Sequence, residues 1–363
     1  GDENWLRPID RLKSEDNHHK KKTMTDTFTL DTEKLGDYLT QHISRFEGPL
    51  SADKFVGGQS NPTYLLTTPK AKYVLRRKPP GKLLRGAHAV DREFKVLSAL
   101  YPTPLPVAQA LHLCEDDSVI GSMFYVMEFM QGRILWDPTL PEVSKTERTA
   151  IYHEMNRVLS ELHKVDVDDA GLSDYGKKGE YFPRQTHTWT KNYKASETIH
   201  VASMETLIEW LPANMPVEDG LYSISHGDYR LDNMMFHIDR PEVIAVLDWE
   251  LSTIGHPFAD LAYQCMQYYI PKGKGLPGLS DSNLEELGIP SEQEYIDMYC
   301  QRMGFEPIAN WNFYLAFSLF RLASICQGVV KRSEQGNASS DKAGEYGDLV
   351  TPLANIAVGL INA

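Results

Sequence analysis

The sequence predicts an α+β protein of two lobes, a small strand-rich N-lobe and a larger, mainly helical C-lobe. Three observations predict this fold. Short β-type segments surround one helical segment before residue 130, long helical patterns predominate after it, and 363 residues suffice for two domains of ordinary size. We expect residues 1–27 to form a polar, disordered tail, residues 28–130 the N-lobe and residues 131–363 the C-lobe.

Hydrophobic spacing and turn residues predict the elements of the first lobe. A helix over residues 32–46 precedes the strands, and the lobe's own helix covers residues 87–100 and ends at the proline-rich YPTPLP. The apolar face of this second helix consists of Val90, Phe94, Leu97 and Tyr101. The predicted strands cover residues 54–56, 63–68, 72–77, 109–114 and 123–129.

The pattern changes after Gly132. An apolar stripe predicts a helix from Lys145 to His163, and a further helix is predicted over residues 203–211. Residues 166–200 are polar, aromatic and predicted to be irregular, whereas residues 224–249 have loop and hairpin character. Beyond residue 257 the chain is predicted to be mostly helical.

Charge and cysteine content exclude several classes of protein. Lysine and arginine total 37 and aspartate and glutamate 50, so the net charge is −13. A protein that binds nucleic acid needs an excess of basic residues, and an anionic membrane surface fits this balance poorly. No segment is expected to reach the roughly 18 apolar residues of a membrane helix, and no signal core is recognised. The 4 cysteines are widely spaced, which indicates a reducing, cytoplasmic location.

The most informative segment is HGDYRLDN (226–233), followed by VLDWE (246–250). Asp228, Asn233 five residues on, and Asp248 after an apolar run have the arrangement that phosphoryl transfer requires. One carboxylate takes the proton of an acceptor hydroxyl, while an amide oxygen and a second carboxylate hold Mg²⁺. Two other interpretations exist. Asp and Asn also cap turns, and His226, Asp228, Asp248 and His256 could form a metallophosphohydrolase site.

SHGDYRLDN, AVLDWELSTIGHPFADLA and GGQSNPTYLL together resemble the aminoglycoside-phosphotransferase-like kinases. Within that family the closest likeness is to the kinase-type domain fused to some acyl-CoA dehydrogenases, and it covers residues 30–360. The resemblance implies a protein-kinase-like bilobal fold and ATP- and Mg²⁺-dependent transfer to a hydroxyl of a small molecule. It makes Asp228 the catalytic base and Asn233 and Asp248 the magnesium ligands.

The N-lobe supplies candidate nucleotide contacts. Glycines between two strands let the backbone approach phosphates, which points to the loop with Gly58, Ser60 and Asn61. The resemblance places arginine where kinases carry a strand lysine, and either Arg76 or Arg77 takes that position, because strand alternation allows only one to face the cleft. The resemblance also implies Glu93 as its partner and the backbone of Glu128 and Met130 as the adenine contact.

Three further assignments concern the C-lobe. His226 and Asp260 are expected to brace the catalytic loop, as the resemblance implies. Tyr181, Arg184 and Trp189 are candidate acceptor contacts in a segment that lacks the acidic cluster an aminoglycoside would need. The resemblance to the dehydrogenase-fused kinases implies a hydroxy acid or a hydroxyacyl-CoA as the acceptor, whose carboxylate or phosphates would suit Arg184. The aromatic residues of this segment could equally be packed core.

A second function remains open at this point. The chain could be a nucleotide-binding pseudokinase that acts as a regulatory or interaction module. The complete set of Asp228, Asn233, Asp248, Arg76 and Glu93 favours an active kinase. A protein kinase is disfavoured because no D-F-G or A-P-E motif follows the catalytic segment.

Overall fold

The computed structural model describes residues 29–55, 61–79, 89–273, 276–334 and 340–363, without the side chains of residues 340–343. Two compact units make up the chain. Among the described residues, the first comprises those up to 136, residues 170–172 and residues 232–251, and the second comprises those in 137–169, 173–231 and 252–363. The predicted lobe boundary at residue 130 stays a prediction. The predicted tail, residues 1–27, lies outside the described residues.

Up to residue 134 each of two helices is followed by three strands, and helices predominate after that. The strands are β1 Ser51–Lys54, β2 Thr63–Thr67, β3 Lys72–Arg77, β4 Ala110–Cys114, β5 Phe124–Glu128, β6 Arg133–Ile134, β7 Ser223–Ser225, β8 Met234–Phe236, β9 Val243–Val246 and β10 Thr253–Gly255. The helices are α1 Thr32–His42, α2 Val90–Leu100, α3 Lys145–His163, α4 Tyr181–Ser196, α5 Ala202–Ala213, α6 Pro257–Cys265, α7 Leu284–Leu287, α8 Glu292–Met303, α9 Trp311–Glu334 and α10 Ser340–Ile361.

The first unit contains an antiparallel sheet in the order β1-β2-β3-β5-β4. The central strand β3 alternates between buried and partly exposed positions, so Leu75 and Arg77 lie on the buried face and Arg76 on the other. Buried residues from α1 and the sheet, among them Leu35, Leu39, Leu66, Leu75 and Val126, form one apolar core. A smaller sheet in the order β6-β8-β9 belongs to the same unit.

Two predictions in this unit need correction. The first strand lies at Ser51–Lys54 rather than at residues 54–56, because its pairing with β2 is set by the register of Ser51 opposite Thr67. The predicted apolar face of α2 is wrong at Tyr101, which is 46% exposed. Glu93 takes part in the buried face instead, since its carboxylate has partners there.

The second unit is built around α9, which packs against α4, α5, α6 and α10. Helix α3 has the predicted bounds and begins at an N-cap, where the Ser144 side chain accepts a hydrogen bond from the Glu147 N–H. The prediction of irregular structure over residues 166–200 is wrong from Tyr181 to Ser196, which form α4. Tyr181 and Phe182 pack with Phe317 of α9, and this tertiary contact stabilises the helix.

The expectation that no segment is long and apolar enough for a membrane span also needs correction. Within the described residues, the helix Trp311–Glu334 meets that criterion by length and composition. However, 78% of its most apolar window is buried inside the protein, as in the core helix of a globular domain.

Candidate active site

The first unit contains a pocket with a cavity volume of about 190 Å³ that opens to solvent. Apolar side chains from β3, α2, β5 and β8 line it together with charged ones from β3, α2 and the segment after β9. The predicted residues found in its wall are Asn61, Arg76, Glu93, Glu128, Met130, Asn233 and Asp248. The fold thus brings together residues that are more than 150 positions apart in the sequence.

Arg76 and Glu93 form a buried ion pair in the wall of this pocket. Arg76 Nη1 lies 3.0 Å from Glu93 Oε2, and Glu93 is 1% exposed. The Asn61 amide donates to Glu93 Oε1 and the Tyr125 hydroxyl to Oε2, both at 2.9 Å. Burial lowers the pKa of Arg76, but the charge of Glu93 outweighs this effect and raises it overall, so the guanidinium stays charged.

The choice between Arg76 and Arg77 follows from strand alternation. Arg76 lines the pocket, whereas Arg77 points to the opposite face of β3 and donates from Nε to the Ser122 hydroxyl at 2.9 Å. Tyr125 is the partner that sequence reasoning missed. It lies opposite Arg76 in the register of β3 and β5, and only that register brings it to the ion pair.

Asn233 and Asp248 form the oxygen-rich part of the pocket. The N–H of Leu247, next to Asp248, donates to the Asn233 carbonyl at 2.8 Å, which holds the two segments together. Asp248 Oδ1 lies 3.7 Å from Arg76 Nη2, and Glu250 Oε2 lies 4.0 Å from the same atom. An amide oxygen and two carboxylates are hard donors, so this set fits Mg²⁺.

Asp248 has a left-handed backbone, with φ of 63°. Residues other than glycine adopt this conformation rarely, although Asn and Asp tolerate it better than most. The adjoining Trp249 is buried, and its Nε1 donates to the Val246 carbonyl at 3.0 Å. This contact fixes the turn that presents the Asp248 carboxylate.

The HGD segment belongs to the second unit, where Asp260 holds its backbone. Asp260 accepts hydrogen bonds from the N–H groups of His226 at 2.7 Å and Gly227 at 2.9 Å, and from the Ser225 hydroxyl at 3.0 Å. The His226 ring in turn accepts from the Asp228 N–H through Nδ1 at 3.2 Å. Burial raises the pKa of Asp260, but the hydrogen bond from His163 and the nearby N–H groups lower it overall.

Asp228 has polar neighbours of its own in the second unit. Arg230 Nε lies 3.7 Å from Asp228 Oδ1. Burial raises the pKa of the Tyr263 phenol, and the charge of Asp228 and a hydrogen bond with it raise that pKa further. Sequence reasoning missed Tyr263, although its position three residues after Asp260 on α6 places it on the same helix face.

The candidate acceptor contacts all belong to the second unit. Tyr181 is buried in the aromatic cluster with Phe182 and Phe317. Arg184 donates to the carbonyls of Gly179 and Lys177, and the Trp189 indole donates to Gln185 Oε1 at 3.1 Å. The predicted phosphate-loop residues Gly58 and Ser60 lie outside the described residues.

Comparison with known proteins places this geometry in a family. Residues 52–286, more than half of the chain, match the family model described as the phosphotransferase enzyme family, APH. Mouse acyl-CoA dehydrogenase family member 10 is 50% identical over 91% of the chain, and human family member 11 is 44% identical over 91%. The chain spans only 31% and 43% of the length of these two relatives.

Solved structures agree with the protein-kinase-like fold. A candidate aminoglycoside phosphotransferase of Ralstonia eutropha has a TM-score of 0.85 at 50% identity, with 92% of this chain and 99% of that one covered. Choline kinase of Cryptosporidium parvum has a TM-score of 0.64 at 14% identity, with 92% and 97% covered. Spectinomycin phosphotransferase, solved with ADP and spectinomycin, has a TM-score of 0.60 at 11% identity, with 91% and 98% covered.

Proposed function

The chain belongs to the phosphotransferase enzyme family, and on that premise we propose that it is a kinase for a small molecule. ATP is the phosphoryl donor, Mg²⁺ its companion ion, and a hydroxyl group the acceptor. The observation that carries the proposal is the Arg76–Glu93 ion pair with Asp248 in one pocket wall. Phosphoryl transfer needs a fixed cation for the phosphates and oxygen ligands for the metal, and this wall offers both.

The nucleotide takes the pocket of the first unit. The Glu128 N–H already donates to the Gln109 carbonyl. We therefore assign only the carbonyl of Glu128, together with the backbone of Met130, to the adenine edge. Arg76 binds the phosphates, since Glu93 fixes one side of its guanidinium and the fork can present further N–H donors. Asn61 positions Glu93. Contacts of Gly58 and Ser60 with the phosphates stay a prediction.

Asn233 and Asp248 hold the magnesium ion. When bound there, Mg²⁺ would neutralise negative charge on the phosphates of ATP and so lower the barrier to transfer. Asp248 also faces Arg76, so the residue connects the phosphate-binding arginine to the metal ligands. Glu250 lies near the same guanidinium and keeps it oriented.

Asp228 accepts the proton of the acceptor hydroxyl as that oxygen attacks. A bond forms between the hydroxyl oxygen and the γ-phosphorus, the bond from that phosphorus to the β,γ-bridging oxygen breaks, and ADP leaves with the electron pair. Asp260 and His226 act as positioning residues because their hydrogen bonds fix the backbone of residues 225–228.

The acceptor we assign is a hydroxy acid or a hydroxyacyl-CoA. Two relatives carry the name acyl-CoA dehydrogenase family member, and this name supports an acyl-type acceptor. Tyr181, Arg184 and Trp189 stay predicted contacts for it.

The four cysteines are free and buried, which supports a reducing, cytoplasmic location.

Nucleotide binding tests the first half of this proposal. Calorimetry with ATP should show tight binding that requires Mg²⁺, and Asp248→Asn should raise the Mg²⁺ concentration that this binding needs. Binding of ATP without any transfer to a hydroxylated acceptor would favour the pseudokinase instead. Absence of nucleotide binding would reject both.

A further inference from the structure

Arg321 of α9 holds its guanidinium against two aromatic rings in the second unit. Its Cζ atom lies 5.4 Å from the centroid of the Trp189 ring and 5.2 Å from that of the Tyr263 ring. The residue is only 7% exposed, yet no residue in the described part of the chain forms an ion pair or a side-chain hydrogen bond with the guanidinium. Burying a charge is costly unless an opposite charge accompanies it, so an anion is the expected missing partner.

The position of Arg321 relative to Asp228 follows from α6. Asp260 and Tyr263 are three residues apart on this helix and share a face. Asp260 binds the backbone of His226 and Gly227, so that face is turned toward the HGD segment. Tyr263 interacts with Asp228 on one side and carries the Arg321 guanidinium on its ring.

Two other arginines of the second unit, Arg184 and Arg230, already have partners. Arg184 donates to the carbonyls of Gly179 and Lys177 at the start of α4. Arg230 lies 3.7 Å from the Asp228 carboxylate. Arg321 differs from both because, among the described residues, it has ring contacts and neither an ion pair nor a hydrogen bond of its guanidinium. Ring contacts leave its N–H donors for a ligand.

We propose that Arg321 binds an anionic group of the acceptor, a carboxylate or a phosphate, and thereby aligns the acceptor hydroxyl with Asp228. The assignment rests on the proposed kinase function and specifies which acceptors the site selects. Trp189 takes part by holding the guanidinium, which gives this predicted acceptor residue an indirect role. The planar, ring-stacked group is suited to oxyanions because it offers N–H donors in a fixed direction.

The test compares charged acceptors with neutral ones. The panel pairs 2-, 3- and 4-hydroxybutyrate with their uncharged amides of the same size and adds 3-hydroxybutyryl-CoA. The readout is acceptor-dependent ADP release. If the anion is a carboxylate, wild type should prefer a free acid over its amide. If the anion is a phosphate, wild type should prefer the CoA thioester over the amide. Arg321→Met should raise the KM of the preferred anionic acceptor about 10- to 100-fold and leave the KM values of the amide and of ATP unchanged. Arg321→Lys should recover part of the lost affinity.

Arg332→Met on the exposed part of α9 is the matched control and should behave as wild type. If Arg321→Met raises the KM equally for the acid, the amide and ATP, the role of Arg321 is only structural and the proposal is overturned. If no acceptor releases ADP even with wild type, the kinase function fails, and binding of the same acids is then measured by saturation-transfer NMR. Binding to wild type but not to Arg321→Met would support the anion site, and equal or absent binding to both proteins would reject it.

Discussion

The guanidinium of Arg76 lies 3.0 Å from the carboxylate of Glu93 and 3.7 Å from that of Asp248. One arginine therefore connects the helix α2 with the segment that follows β9. Glu93 is buried, and the side chains of Arg76 and Asp248 are only 13% and 9% exposed, so solvent screens these charges little. Arg76, the proposed phosphate-binding cation, thus lies next to Asp248, a predicted metal ligand.

Arg76→Met should weaken both folding and nucleotide binding. The substitution leaves Glu93 buried without its cation, which costs about 3 kcal/mol of the free energy of unfolding. Removal of a charged phosphate contact should lower the affinity for Mg·ATP at least about 10-fold. Urea unfolding and calorimetry measure the two effects. Lys70→Met is the control, because its ion pair with Glu47 is exposed and should contribute about 1 kcal/mol or less. An equal effect of both substitutions on stability would contradict the account.

Asp228→Asn should lower kcat about 100- to 10,000-fold, because the amide cannot take the proton of the acceptor hydroxyl. The affinity for Mg·ATP should stay unchanged, since the pocket proposed for the nucleotide is formed by residues of the first unit. Steady-state kinetics and calorimetry make the comparison, with the exposed Asp239→Asn as the control. A variant with unchanged kcat would remove Asp228 from the role of base.

Asp248→Asn is the appropriate probe of the metal site. Asparagine tolerates the left-handed backbone at φ of 63°, whereas alanine would add strain to the loss of the ligand. Loss of one anionic ligand should raise the Mg²⁺ concentration needed for half-maximal ATP binding at least about 10-fold. Asn233→Ala should shift the same titration in the same direction. An unchanged Mg²⁺ titration in both variants would place the metal elsewhere.

Much of this site could be predicted from the sequence, and the parts that failed have physical reasons. The candidate base and metal ligands lie within the short HGD and LDWE segments and just after HGD, so the sequence alone was enough to name them. The phase of β3 could not, because whether Arg76 or Arg77 faces the pocket depends on the neighbours β2 and β5. Helix α4 was missed because its N-cap, Glu180, lacks a capping hydrogen bond and packing on α9 stabilises the helix instead.

Asp260→Asn should destabilise the chain in a pH-dependent way. The folded-state pKa of Asp260 lies below its ordinary value of 3.8, since the contacts of the carboxylate outweigh burial. A lowered acid pKa gives stability that is complete above the unfolded pKa and is lost as pH falls through the folded one. The variant should therefore be about 3 kcal/mol less stable at pH 7, and the difference should shrink below about pH 4. A difference that stays constant from pH 7 to pH 3 would contradict the assignment.

The most direct test of the kinase proposal is transfer of the γ-phosphoryl group of ATP to a hydroxylated small molecule, followed by ³¹P NMR. Wild type with Mg²⁺ and a panel of hydroxy acids, hydroxyacyl-CoAs and aminoglycosides should yield a phosphate ester and an equal amount of ADP with at least one acyl-type acceptor. Asp228→Asn should yield neither. Binding of Mg·ATP without ester formation on any acceptor, or ester formation at the wild-type rate by Asp228→Asn, would contradict the account.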